Sequence, residues 1–120
     1  MENYNTLKAF INKGIEDWGC VVSDDYKSFQ TKYKNFIKKV CQANGYELVK
    51  FSPNHYEFSC FIKGNDKYVY MSISDVRHFK NEWYNRILIR YTKNENDYHG
   101  EFNQYVSLTN LEAKLVKMLG

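Results

Sequence analysis

Proline is almost missing from this chain of 120 residues, with Pro53 standing alone, and glycine occurs only six times. That scarcity, with no low-complexity run, excludes a linker-like or collagen-like chain. No apolar run is longer than four residues, so no segment is predicted to span a membrane. The first residues lack the basic, apolar, small-residue order of a signal peptide. Cysteine is limited to Cys20, Cys41 and Cys60, an odd number without a CxxC pair. A reducing, cytoplasmic setting fits, with the thiols serving as small buried hydrophobes. Arginine is confined to Arg77, Arg86 and Arg90, against 14 lysines. Alanine occurs only at Ala9, Ala43 and Ala113, a bias that AT-rich codons produce. A strong charge of either sign is absent too. The formal balance is +3, below that of a dedicated nucleic-acid binder and opposite to a whole-surface DNA mimic.

What is present is apolar and aromatic side chain, at 43% and 18% of residues. This suffices for one domain over residues 1–120 with its own core. Leu7, Phe10, Ile11, Ile15 and Trp18 recur at helical steps and predict a first helix over 5–18. Ser23 as a cap, Asp24 and Asp25 at the positive end and Lys38 and Lys39 near the negative end predict a second. Its apolar residues Tyr26, Phe29, Tyr33, Phe36, Ile37, Val40 and Cys41 fill an arc of roughly 140°, suited to lying on a sheet. Asn44-Gly45 should end it.

From Tyr46 the period changes to two. "YELVKF", "YEFSCFIK", "YVYMSIS" and "ILIRYT" predict four strands, and "EFNQYVS" a short fifth. Thr109-x-x-Glu112 has the form of a capping box opening a C-terminal helix with Leu111, Leu115, Met118 and Leu119 on one side. The predicted fold is therefore α+β: two N-terminal helices, an antiparallel sheet of four to five strands covered on one face, and a C-terminal helix. Alternation sends Phe58, Cys60, Ile62, Val69, Met71, Ile73, Ile87 and Ile89 to the core. Phe61, Tyr68, Tyr70, Leu88 and Arg90 are left on the opposite face, which is aromatic for a solvated surface.

The residues ask for little covalent chemistry. Zinc needs three or four ligands converging at about 2.0–2.3 Å. In an up-down meander His55 and His78 share one end of the sheet with Cys20, whereas His99 falls at the other, so no metal and no cofactor is predicted. No GxSxG elbow, P-loop, GxGxxG or HExxH pattern occurs, and a non-enzymatic role is expected.

Two features suit contact with a partner. Glu16, Asp17, Asp24 and Asp25 form a stretch without a basic residue. They serve a helix start, or they form a negative patch able to enter an arginine-lined groove. The segment of residues 75–86 carries Arg77, His78, Trp83, Tyr84 and Arg86. One large ring should anchor it to the core while the others stay near the surface, in the residue types that dominate binding hot spots. Lys27, Lys34 and Lys38 flank the second helix. They cover its apolar stripe, or with Arg77 and Arg86 they contact phosphates.

The run "YVYMSISDVRHFKNEWYNRILIRY", preceded by "CQANGYELVKFSPNHYEFSCFIK", resembles small hypothetical proteins carried on plasmids, phages and conjugative elements of Gram-positive bacteria. Small proteins of such elements include anti-CRISPR inhibitors of type II RNA-guided nucleases, and this chain looks like one in size and in lacking a catalytic motif. The resemblance implies a protein partner, a CRISPR effector nuclease, whose guide or target-DNA loading is blocked. The alternative is a nucleic-acid-binding accessory protein of a mobile element.

Overall fold

A computed structural model describes residues 7, 24–53, 58–73 and 82–120. Helix α1 (Asp24–Asn44) is followed by β1 (Glu47–Pro53), β2 (Phe58–Lys63) and β3 (Tyr68–Ile73). A single helical turn, α2 (Glu82–Asn85), leads into β4 (Ile87–Thr92) and β5 (Gln104–Val106). A 3₁₀ turn (Leu108–Asn110) and α3 (Leu111–Leu119) complete the chain. The fold is α+β, with a five-stranded antiparallel meander in the order β1-β2-β3-β4-β5. Of the predicted first helix, over 5–18, only Leu7 lies among the described residues. It is helical and fully buried in the core.

Helix α1 forms where the three-and-four spacing runs. Phe29, Tyr33, Phe36, Ile37, Val40 and Cys41 are all buried. It ends at Asn44 because Gly45 takes φ +75°, and the Tyr46 amide then donates to the Cys41 carbonyl at 2.8 Å. This pattern closes a helix whose last carbonyls need donors. The last turn carries no basic residue, so Lys38 and Lys39 stand too far back to meet the negative end as predicted. The charge effect fades within one turn.

The core lies between α1, α3 and one face of the sheet. Cys60, Ile62, Val69, Met71, Ile73, Ile87 and Ile89 are buried there, as alternation predicts. In β1 the register shifts between Leu48 and Lys50. Leu48 stands opposite Ile62, and Phe51 opposite Cys60. The extra residue, Val49, lets two apolar side chains three positions apart reach the same face. It also turns Lys50 outward, opposite Phe61.

Thr109 and Glu112, the pair of the predicted capping box, flank the start of α3. The chain is already coiled in the 3₁₀ turn at Thr109, and α3 starts behind Asn110 without a side-chain cap bond. The Glu112 carboxylate accepts from Asn44 Nδ2 at 2.9 Å, and the same Nδ2 donates to the Val40 carbonyl. The ends of α1 and α3 are thereby tied together.

Candidate interaction surface on the outer sheet face

Residues paired directly across strands share a face, so the register fixes what the sheet presents away from the helices. One row reads Lys50, Phe61, Tyr70, Arg90. A second reads Ser52, Ser59, Ser72, Leu88, Tyr105. A third reads Glu47, Lys63, Tyr68, Thr92. Glu47 is the one acid in these three rows.

This face is not the plain solvated surface that alternation predicts. Phe61, which points away from the core, is only 1% exposed, because the connection between β4 and β5 folds back over it. The Tyr98 ring meets Phe61 edge-on at 5.1 Å and Tyr70 at 5.9 Å, and Phe61 meets Tyr70 at 5.2 Å. Lys50 Nζ lies 5.0 Å from the Tyr98 ring centre and 5.9 Å from that of Phe61. The three rings and the lysine form a small second core, with cation–π attraction at its rim.

Short-range polar bonds hold the connection in place. The Asp97 carboxylate accepts from the amides of Lys93 at 2.9 Å, Gly100 at 3.0 Å and His99 at 3.3 Å. Donation from the Gly100 amide, then from the Lys93 and His99 amides, holds its pKa below the usual carboxylate value. Asn94 Oδ1 accepts from the Asn96 amide at 2.8 Å. Gly100 sits at φ +57°, so close to β4 that a Cβ would fall 2.5 Å from the Tyr91 carbonyl oxygen. That oxygen accepts from the Glu101 amide at 2.9 Å. Arg90 bridges strand and loop. Its Nη1 donates to Asn103 Oδ1 at 3.0 Å, its Nη2 to the Tyr98 carbonyl, and its guanidinium lies 4.4 Å over the Tyr70 ring.

The loop so anchored and the adjoining β5 carry the most exposed large apolar groups among the described residues. Phe102 is 72% exposed, and Tyr98 and Tyr105 nearly half. The Arg86 guanidinium stacks 4.2 Å over Tyr105.

The predicted contact residues separate accordingly. Glu16, Asp17, Arg77 and His78 lie outside the described residues, as do the side chains of Asp24, Asp25 and Trp83. The backbone of Asp24 and Asp25 opens α1. The Tyr84 side chain is partly buried and packs against the core. The backbone there forms a single helical turn, Glu82–Asn85. Arg86 is exposed and lies beside Tyr105. Lys34 covers the Phe51 ring at 5.4 Å, while Lys27 and Lys38 are exposed. Lys50, Asp97, Tyr98, Phe102, Asn103 and Tyr105 were not singled out from sequence. The available signal was the Asx-rich string "NENDYHG" ending in glycine, in which side-chain oxygens satisfy nearby amides.

Elsewhere the chemistry is quiet. A shallow open hollow of about 460 Å³ at the far end of the sheet mixes charges of both signs, from Asp66, Lys67, Lys93 and Glu101 beside Tyr91 and Thr92. Among the described residues no three His, Cys, Asp or Glu side chains converge as metal ligands, and His99 is exposed. Cys41 and Cys60 are buried. Burial pushes the Cys41 thiol up to about 11, and burial with the neighbouring Cys41 raises Cys60 further. Such thiols are poor nucleophiles at neutral pH. No described helix is long and apolar enough to cross a membrane. Comparison with family models, with curated proteins and with solved structures finds no match.

Proposed function

We propose that this chain is a non-enzymatic inhibitor that acts by docking on a larger protein, in the manner of an anti-CRISPR blocking guide or target-DNA loading in a type II RNA-guided nuclease. The observation that supports docking is the hydrogen-bonded 93–103 connection. It holds Phe102 in water at 72% exposure beside Tyr98 and Tyr105. An exposed phenylalanine on a mobile tail implies little. One next to a loop with this many internal bonds is pre-organised, and pre-organisation lowers the ordering cost of association. Arg86 on Tyr105 adds the aromatic–arginine pairing that concentrates binding energy at interfaces. The nuclease as partner rests on the resemblance of "YVYMSISDVRHFKNEWYNRILIRY" to mobile-element proteins.

Co-purification with a panel of type II nucleases, followed by a DNA-cleavage assay with and without the protein, tests this reading. Suppressed cleavage by at least one nuclease, relieved by Phe102→Ala with Arg86→Glu, is expected. Unimpaired cleavage by every nuclease at a large molar excess of the protein contradicts it.

A further inference from the structure

We infer that Asn44–Gly45 is a site of spontaneous self-modification, a succinimide-forming pair that the Glu112 carboxylate holds closed while the ends of α1 and α3 stay joined. The reaction needs no partner and no enzyme, so it is independent of the inhibitor reading.

The reactive pair is written in the sequence. Among the asparagines of this chain only Asn44 precedes a glycine. A backbone nitrogen attacks the side-chain carbonyl carbon of a preceding asparagine most readily when its own residue has no Cβ to crowd the approach. Gly45 adds open space to that. It is exposed, and even an added Cβ would meet nothing within 4 Å. In the step itself the Gly45 nitrogen gives its proton to a solvent base and bonds to Asn44 Cγ. The Cγ–Nδ2 bond breaks, and Nδ2 takes up a proton and leaves as ammonia. Water then opens the ring. Cleavage of the new N–Cγ bond leaves aspartate on a normal backbone. Cleavage of the original peptide bond leaves isoaspartate, whose main chain runs through Cβ and Cγ. No oxidant or reductant takes part.

The fold supplies the guard. Asn44 is the last residue of α1 and is half-buried. Its Nδ2 donates to the Val40 carbonyl and to Glu112 Oε2, both at 2.9 Å. Both amide protons are thereby engaged, one on the preceding turn and one on α3. Attack requires the amide carbon to be brought onto the Gly45 nitrogen in an aligned conformer, and these two bonds oppose that movement. The bond to the ionised acceptor is the stronger of them. Once the helix ends part and the reaction runs, the tie cannot form again. A carboxylate at position 44 has no proton to donate to either acceptor, and it faces the Glu112 charge at a part-buried position. Since α3 brings Leu111 and Leu115 into the core, the change acts as a one-way switch that loosens the C-terminal helix.

The test follows the intact protein in mildly alkaline buffer, with and without urea, by peptide mass mapping that separates asparagine, aspartate and isoaspartate at position 44. In urea Asn44 should convert faster than every other asparagine. In native buffer its conversion should be slower by about thirtyfold or more, the protection expected of two hydrogen bonds that must open locally. Glu112→Ala should speed the native reaction about tenfold or more. Glu112→Gln keeps an acceptor oxygen and should stay nearer the wild-type rate. Asp97→Ala, which loosens the connection between β4 and β5, should leave the rate unchanged. Asn44→Asp should lower Tm by roughly 5–10 °C. Equal rates with and without urea overturn the inference, as does a native rate that Glu112→Ala leaves unmoved. An equal rise with Asp97→Ala overturns it too, because general loosening would then account for the effect. So does an Asn44→Asp protein that melts like wild type.

Discussion

Replacing Gly100 by alanine separates two costs that glycine avoids. The first is conformational. At φ +57° an alanine pays about 1–2 kcal/mol for the left-handed region. The second is steric, since the new Cβ would stand 2.5 Å from the Tyr91 carbonyl oxygen and 3.0 Å from Thr92 Cγ2. Relief requires the loop to lift from β4, which breaks the Glu101–Tyr91 hydrogen bond at a further cost of about 0.5–1.5 kcal/mol. The sum is roughly 2–3 kcal/mol, or about 8–15 °C in Tm for a domain of this size. Gly45 is the internal control. Its φ is +75°, yet a Cβ there meets nothing within 4 Å, so Gly45→Ala should cost only the conformational part, about 1–2 kcal/mol. Paired urea and thermal melts followed by circular dichroism measure both. If Gly100→Ala is no more destabilising than Gly45→Ala, the loop does not lie against β4 as described, and the built character of the outer face fails with it.

Further outcomes follow from the same contacts. Phe61→Ala should cost about 3–5 kcal/mol, the range for a fully buried phenylalanine, whereas a solvated outer-face ring would cost far less in the same melts. Asp97 has a folded-state pKa below its unfolded value near 3.9. Its contribution is therefore complete above that unfolded value and declines as pH falls through the lower folded one. Wild type and Asp97→Asn should differ in Tm at neutral pH and converge under strong acid; a constant gap contradicts the assignment. With Cys20 replaced by serine, neither Cys41 nor Cys60 should react with a chromogenic disulfide at pH 8 until denaturant is added. Rapid labelling of the native protein would show that these thiols are not buried in the core.

The sheet and its inner face were legible from sequence because period-two alternation and helical spacing are local signals. Cys60, Ile62, Val69, Met71, Ile73, Ile87 and Ile89 occupy the face that alternation assigned. The bulge at Val49 was hidden, since a register shift depends on the partner strand and not on the strand's own pattern. The fate of Phe61 was hidden for a similar reason. Its cover is Tyr98, distant in sequence and carried on a segment that reads as polar loop. Alternation placed Arg90 only on the outer face. Its guanidinium in fact holds that loop down, an arrangement visible only once Tyr98 and Asn103 are placed.

Amide hydrogen exchange on the isolated protein bears most directly on the outer face as a pre-organised binding surface. Protection is expected at the Lys93, Gly100 and Glu101 amides, which donate to Asp97 and Tyr91, well above the level of freely exposed loop residues. Exchange of these amides at unfolded-chain rates would contradict it, because Phe102, Tyr98 and Tyr105 would then sit beside a loop with no fixed shape to offer a partner.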